Sequence, residues 1–238
     1  MSNQVNLSLP KDFDNVVRLF PLPNMVLFPG IVQALHLFEP RYRELMEDAL
    51  QSDQLITMAF VKPDDQLAGS IRPEISKTVC VGKILSHTKL EDGRFNLFLI
   101  GSKRARIVEE IPTDLLYRKA RVEIVEDYEG GPSNNHYLRQ EIIEKFQELA
   151  GLRSGWNNEA LEQFLSDDLP FGQLVDMIGY SCGASAESQQ RILEAAELSA
   201  RGEIVLELIS EQIDSGKQKN RGEDSDAGQS FPPGFSDN

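Results

Sequence analysis

The spacing of hydrophobic positions changes once along this chain. Up to about Glu129 they form short runs or alternate with polar residues, which predicts strands. Val16-Val17-Arg18-Leu19-Phe20 reads as a first strand, ended by Pro21 and Pro23, which lack backbone donors. Met25–Phe28 is a short apolar run closed by the turn signal Pro29-Gly30, and Ala34–Phe38 alternates into a helix beginning near Glu39-Pro40. On that helix Tyr42, Leu45, Met46, Ala49 and Leu50 form one apolar stripe, opposite Arg43, Glu44, Glu47 and Asp48. Leu55–Val61 is long and apolar enough for a buried strand, and the polar stretch from Lys62 to Ser76 reads as an exposed loop. Thr78–Ser86 and Arg94–Ile100 read as a hairpin around Asp92-Gly93. Gly101 is expected to break the run before two more strands at Ala105–Val108 and Ala120–Val125. Short strands at this spacing, with one early helix, suggest a small barrel or sandwich.

From Glu129-Gly130-Gly131-Pro132 onward the period becomes helical. Leu138, Ile142, Phe146 and Leu149 form one stripe, Leu161, Phe164 and Leu165 a shorter one, and Phe171, Leu174, Val175 and Ile178 a third. Ile192, Leu193 and Ala196 begin a fourth, and Ile204, Val205, Leu208 and Ile209 continue it or start a fifth. Amphipathic helices joined by short breaks must bury their stripes on one another. The expectation is an α+β chain: a flexible N-terminus (1–13), a β-barrel or sandwich lobe (14–130) with one inserted helix, an α-helical bundle (131–214), and a disordered tail (215–238). In the polar tail, Phe231 and Phe235 flank a Pro-Pro pair and are a possible docking motif.

Charge and composition narrow the function. With 38 acidic and 24 basic side chains the net charge is −14, which argues against a generic phosphate-backbone binder. Lys103, Arg104 and Arg106 are the best local basic patch; such a segment is otherwise a solvated strand face. The N-terminus is polar and no run of about 18 apolar residues occurs, so a cytoplasmic protein without a membrane span is expected. Cys80 and Cys182 lie far apart in apolar surroundings and read as reduced core thiols.

Several quoted segments together resemble the substrate-binding N-terminal domain of Lon-type ATP-dependent proteases. The first is Leu19-Phe20-Pro21-Leu22-Pro23-Asn24-Met25-Val26-Leu27-Phe28-Pro29-Gly30, followed by Phe38-Glu39-Pro40-Arg41-Tyr42-Arg43. Val79–Ile84, Asp92-Gly93-Arg94-Phe95, Arg104-Ala105-Arg106-Ile107 and Gln189–Glu194 with Arg201 are similar to later family segments in the same order. The resemblance covers roughly residues 14–214. It implies a PUA-like barrel lobe followed by helices, and polypeptide or a protein partner as ligand. A groove between the two lobes is the expected site, with Phe28, Leu35, Leu37 and Phe38 as its floor. Core packing accounts for the same four side chains equally well. Glu39 and Arg41 are read as a polar pair fixing the helix to the barrel, with ligand contact as the alternative.

Enzymatic chemistry finds little footing in these residues. The family's proteases use a Ser-Lys dyad and an ATPase in later domains, whereas no Gly-rich run ending in Gly-Lys-Ser or Gly-Lys-Thr occurs here. No His-Glu-x-x-His or Cys-x-x-Cys pattern is present, and His36, His87 and His136 are scattered singly. Gly179-Tyr180-Ser181-Cys182-Gly183 fits the Gly-x-Ser-x-Gly elbow of hydrolases, but an amphipathic helix precedes Ser181 and no histidine follows it. The glycines read as a helix stop and Ser185 as the cap of the next helix. The expected protein is therefore a non-catalytic recognition module needing no cofactor, with an adaptor role in proteolysis as the natural extension. The runner-up is a PUA-like RNA-binding module using Lys103, Arg104 and Arg106.

Overall fold

Alternation along the first half becomes a sheet with a hydrophobic cluster on each side of its central strands. The computed structural model describes residues 7–63, 72–129, 134–152 and 169–226. In chain order the elements are β1 (Val16–Leu22), β2 (Val32–Leu37), α1 (Pro40–Leu50), β3 (Leu55–Phe60), β4 (Thr78–Lys89), β5 (Phe95–Ile111) and β6 (Arg118–Val125). The helices α2 (Asn134–Gly151), α3 (Phe171–Ser181), α4 (Ala186–Glu194) and α5 (Leu198–Asp226) follow. The chain is thus α+β, with a six-stranded sheet in the order β2-β5-β4-β3-β1-β6. Strand β5 also pairs with β6, so β5, β4, β3, β1 and β6 form a hydrogen-bonded ring with β2 outside it. Only β1 and β3 run parallel; every other neighbouring pair is antiparallel.

Period two explains the two cores. Leu55 and Ala59 of β3 face the interior of the ring with Val17, Leu19, Val79, Val81, Ala105, Ile107, Ala120 and Val122. Ile56, Met58 and Phe60 face outward, into a second cluster shared with α1 and the later helices. Every residue of β3 is consequently buried. Leu9 and Phe13, within the stretch expected to be flexible, pack against the inner cluster.

Two breaks expected from the sequence are absent. Strand β1 continues through Pro21 to Leu22, because pairing with β6 stops at Leu19 and the missing N–H at Pro21 faces no β6 partner. Strand β5 passes unbroken through Gly101, which pairs with Gly82. Glycine is required there by close approach. A Cβ at position 101 would lie 2.0 Å from the Phe28 carbonyl oxygen. The Gly30 N–H donates to the Gly101 carbonyl and the Gly101 N–H to the Ile31 carbonyl, each at 2.9 Å.

The helical stripes are buried as the spacing predicts. Leu138, Ile142, Phe146 and Leu149 of α2 meet Leu174, Val175 and Ile178 of α3, Ile192 and Leu193 of α4, and Val205, Leu208 and Ile209 of α5. The same cluster contains Phe28, Leu35 and Leu37, so strands and helices share one continuous core. Ser185 caps α4 by accepting from the Ser188 N–H at 3.2 Å, and Gly183 supplies the positive φ of 81° that ends the preceding helix. Leu161, Phe164, Leu165, Phe231 and Phe235 lie outside the described residues. Helix α5 runs to Asp226, past Ser215 where a disordered tail was expected to begin. Lys217 there reaches back to Glu148 of α2 at 2.8 Å, an anchor that a purely local reading of polar composition misses. Cys80 and Cys182 are free and buried, and burial pushes the Cys80 thiol up to about 12.

Candidate functional site

The seam between strands and helices, where a groove was expected, is filled at the predicted floor. Phe28 and Leu37 are core side chains, and Leu35 is buried with them. Phe38 is separated from these three and is 60% exposed. Glu39 and Arg41 pair with each other at 2.8 Å, half-exposed at the start of α1. Helix α1 is held by Tyr42, whose hydroxyl donates to the Pro21 carbonyl at 3.3 Å and whose ring meets Phe20 edge-on at 4.5 Å. Burial pushes the Tyr42 hydroxyl up to about 12. Arg18 ties β1 to the other end of α1, pairing with Asp48 and Asp53 at 2.8 Å each. The Arg18 hydrogen bond holds the Asp48 carboxyl below the usual carboxylate range.

A buried charge network, which sequence reasoning missed, locks the seam. Arg104 of β5 pairs with Asp176 of α3, reaches Asp127 at 3.4 Å, and donates to the Leu193 carbonyl of α4 at 3.2 Å. Arg201 of α5 pairs with Asp127 at 2.5 Å and with Asp176 at 3.4 Å, and donates to the Ala195 carbonyl at 2.8 Å. Arg104, Arg201 and Asp176 are all buried. For Asp127, burial pushes the carboxyl up, but the Arg201 hydrogen bond and the nearby Arg104 charge outweigh it and leave the carboxyl lowered. Burial pushes the Asp176 carboxyl up against the pull of both arginines, as expected where desolvation opposes pairing.

This network removes the basic surface that the RNA reading needed. Arg104 points inward to carboxylates, Lys103 pairs with Glu126 at 2.9 Å, and Arg106 pairs with Glu123 at 3.3 Å. A carboxylate beside each cation speaks against a phosphate-binding face on this strand. A cavity of about 360 Å³ beside the network is lined by Ser102, Asp127, Gly172 and Gln173, with Glu126 among its acids. Its charges are balanced within the protein.

An accessible apolar surface lies on the other side of the sheet. Alternation along β2 sends Leu35 and Leu37 into the core and leaves Val32, Ala34 and His36 outside. Ala34 faces Phe98 of β5, and Phe98 faces Ser86 of β4. Val32 is 46% and Phe98 51% exposed, and Phe38 continues the strip beyond β2. His36 stacks on Phe38 with ring centroids 6.1 Å apart and its Nδ1 bonds Asn96 Oδ1 at 2.6 Å. A shallow cleft of about 350 Å³ crosses this face between Ala34, His36, His87 and Phe98. The alternation of β2 carried this signal in the sequence.

Ser181 closes α3 and is followed by the left-handed Gly183, so the strand-turn-helix of a nucleophile elbow is not formed. Among the described residues no helix is long and apolar enough to cross a membrane.

A strand ring flanked by α1 and followed by helices can now be set beside known proteins. The model of the ATP-dependent protease La (LON) substrate-binding domain matches residues 16–211. The chain belongs to the Lon substrate-binding domain family. Among relatives, Lon protease 2 of Myxococcus xanthus is 28% identical over 222 residues, covering 89% of this chain and 25% of that protein. The Lon protease of Dictyoglomus thermophilum is 26% identical over 215 residues, covering 87% of this chain and 26% of its own length. The chain thus spans about a quarter of the Lon proteases it matches. The N-terminal domain of a Mycobacterium avium complex Lon protease superposes with a TM-score of 0.65 at 18% identity, covering 82% of this chain and 98% of that domain. A Lon N-terminal domain protein from Xanthomonas campestris gives 0.58 at 19% identity, covering 80% and 96%. The family resemblance drawn from the sequence therefore holds, and these structures share the α+β fold.

Proposed function

We propose that this chain is a non-catalytic recognition module that binds polypeptide through the outer face of β2 and β5. The reading rests on one observation within a substrate-binding family: Val32, Phe38 and Phe98 are large, apolar and exposed on β2, just after it and on the neighbouring β5. Exposed apolar patches mark interaction sites, whereas the predicted floor of the seam is core packing and the cavity beside it is lined by paired charges. On this reading the strand ring is a PUA-like small barrel and α2 to α5 form a helical bundle behind it. Of the six residues expected at the site, Phe38 belongs to the binding face. Glu39 and Arg41 border it at the start of α1, and Phe28, Leu35 and Leu37 support it from within. The module acts in the cytoplasm, presenting captured segments to a protease as an adaptor.

Fluorescence anisotropy with labelled, reduced and carboxymethylated lactalbumin tests this, with folded lactalbumin and a single-stranded RNA as controls. Selective binding to the unfolded chain, weakened about tenfold or more by Phe98→Ser, is the expected result. Equal binding by the variant would remove the site from this face. Binding to RNA alone would overturn the reading.

A further inference from the structure

The mode of capture follows from the backbone of β2. This strand ends the sheet, pairing with β5 and with no other strand among the described residues. Its register with β5 is regular from Val32 to Leu37. In such a pair each residue sends its N–H and C=O to the same side, and the side alternates. The direction is fixed by two contacts. The Ile31 carbonyl accepts from Gly101 of β5, and the Ala34 carbonyl accepts from the Gln33 side-chain amide at 3.2 Å, which an incoming strand would displace. Val32, Ala34 and His36 therefore direct their backbone groups away from the sheet, and the same three residues expose their side chains.

Edge strands are normally guarded by lysine, proline or a bulge, because an open ladder pairs with any extended chain. Strand β2, Val-Gln-Ala-Leu-His-Leu, has no lysine, no proline and no register shift. An open ladder of alternating donors and acceptors is complemented by extended backbone and not by a helix, whose own groups are satisfied internally. We infer that β2 captures an extended polypeptide segment by adding it to the sheet as a further strand. This rests on the polypeptide-binding reading above and names its mode. Six residues of β2 span roughly 20 Å, so the segment is about six residues long. Its side chains on one face continue the apolar strip of Val32, Ala34 and Phe98. Those on the other face meet Gln33 and Tyr180 of α3, whose hydroxyl bonds Gln33 Oε1 at 2.9 Å.

The test uses a fluorescein-labelled peptide of alternating threonine and valine, and the same peptide methylated on two consecutive central backbone amides. The methyls block both edges of the peptide and leave its side chains unchanged. The expected result is at least tenfold weaker anisotropy binding by the methylated peptide. A matching loss is expected for the plain peptide on Ala34→Pro, which removes one outward N–H. Circular dichroism melting should leave that variant's midpoint close to wild type; if it does not fold, the methylated peptide alone decides. Equal binding of both peptides overturns strand addition and leaves apolar docking standing. Binding of unfolded lactalbumin with no binding of either peptide also overturns it. Silence of the peptides and lactalbumin alike removes both readings. A concentration-dependent dimer in sedimentation, lost on Ala34→Pro, would overturn it in favour of a second copy on β2.

Discussion

The seam and the outer face of β2 invert the usual partition of side chains in opposite ways. At the seam Arg104, Arg201 and Asp176 are charged and buried; on the outer face Val32 and Phe98 are apolar and exposed. Strand β5 contributes to both, through Arg104 at one place and Phe98 at another. Buried ion pairs add little net stability, but each arginine demands its carboxylate at one position and direction. The network thus fixes how α3 and α5 sit on the strands. Exposed apolar side chains have no such internal partner and are left for something outside. The difference separates residues that hold the scaffold from residues available to a ligand.

Breaking the seam should have the largest effect. Asp176→Ala leaves two buried guanidinium groups short of a partner and should destabilise the fold by about 3–5 kcal/mol, measured by urea unfolding. Gly101→Ala forces a side chain onto the Phe28 carbonyl and should cost about 1–3 kcal/mol in the same assay, without touching either region's chemistry. Phe98→Ser should leave stability within about 0.5 kcal/mol while weakening capture of unfolded polypeptide about tenfold. A variant that lost both together would collapse the distinction between scaffold and face. Acid should act on the ion-paired scaffold too. Asp48 and Asp127 have carboxyls lowered in the folded state, so their contribution is present above the unfolded value, near pH 4, and lost as pH falls through the folded values. Asp48→Asn should flatten the midpoint-against-pH curve below about pH 4, read by thermal melts at several pH values.

What could be read before the structure was what is local. The stripe Tyr42, Leu45, Met46 and Ala49 lies on one helix and is buried as spacing demands, and Ser185 caps its helix from three residues away. What escaped depends on partners far along the chain. Arg104 looked like a surface cation because Asp176, which buries it, stands 72 residues later. Gly101 looked like a break because nothing nearby in sequence shows Phe28 pressed against it. Phe28 and Phe38 both read as floor of one groove, yet the first is core and the second surface. A short apolar run does not say which of its sides the rest of the chain will cover.

The closure of the strand ring has a consequence for synthesis. Strand β1 needs β6, whose first residue, Arg118, pairs with Leu19. A chain emerging at roughly 5–20 residues per second holds β1 without that neighbour for something on the order of 5–20 s. Through that interval Val17, Leu19 and Phe20 are apolar and unsealed, and Arg104 in its turn waits a further 72 residues for the helix that carries Asp176. The chain's most vulnerable moment therefore falls before its last strand has arrived.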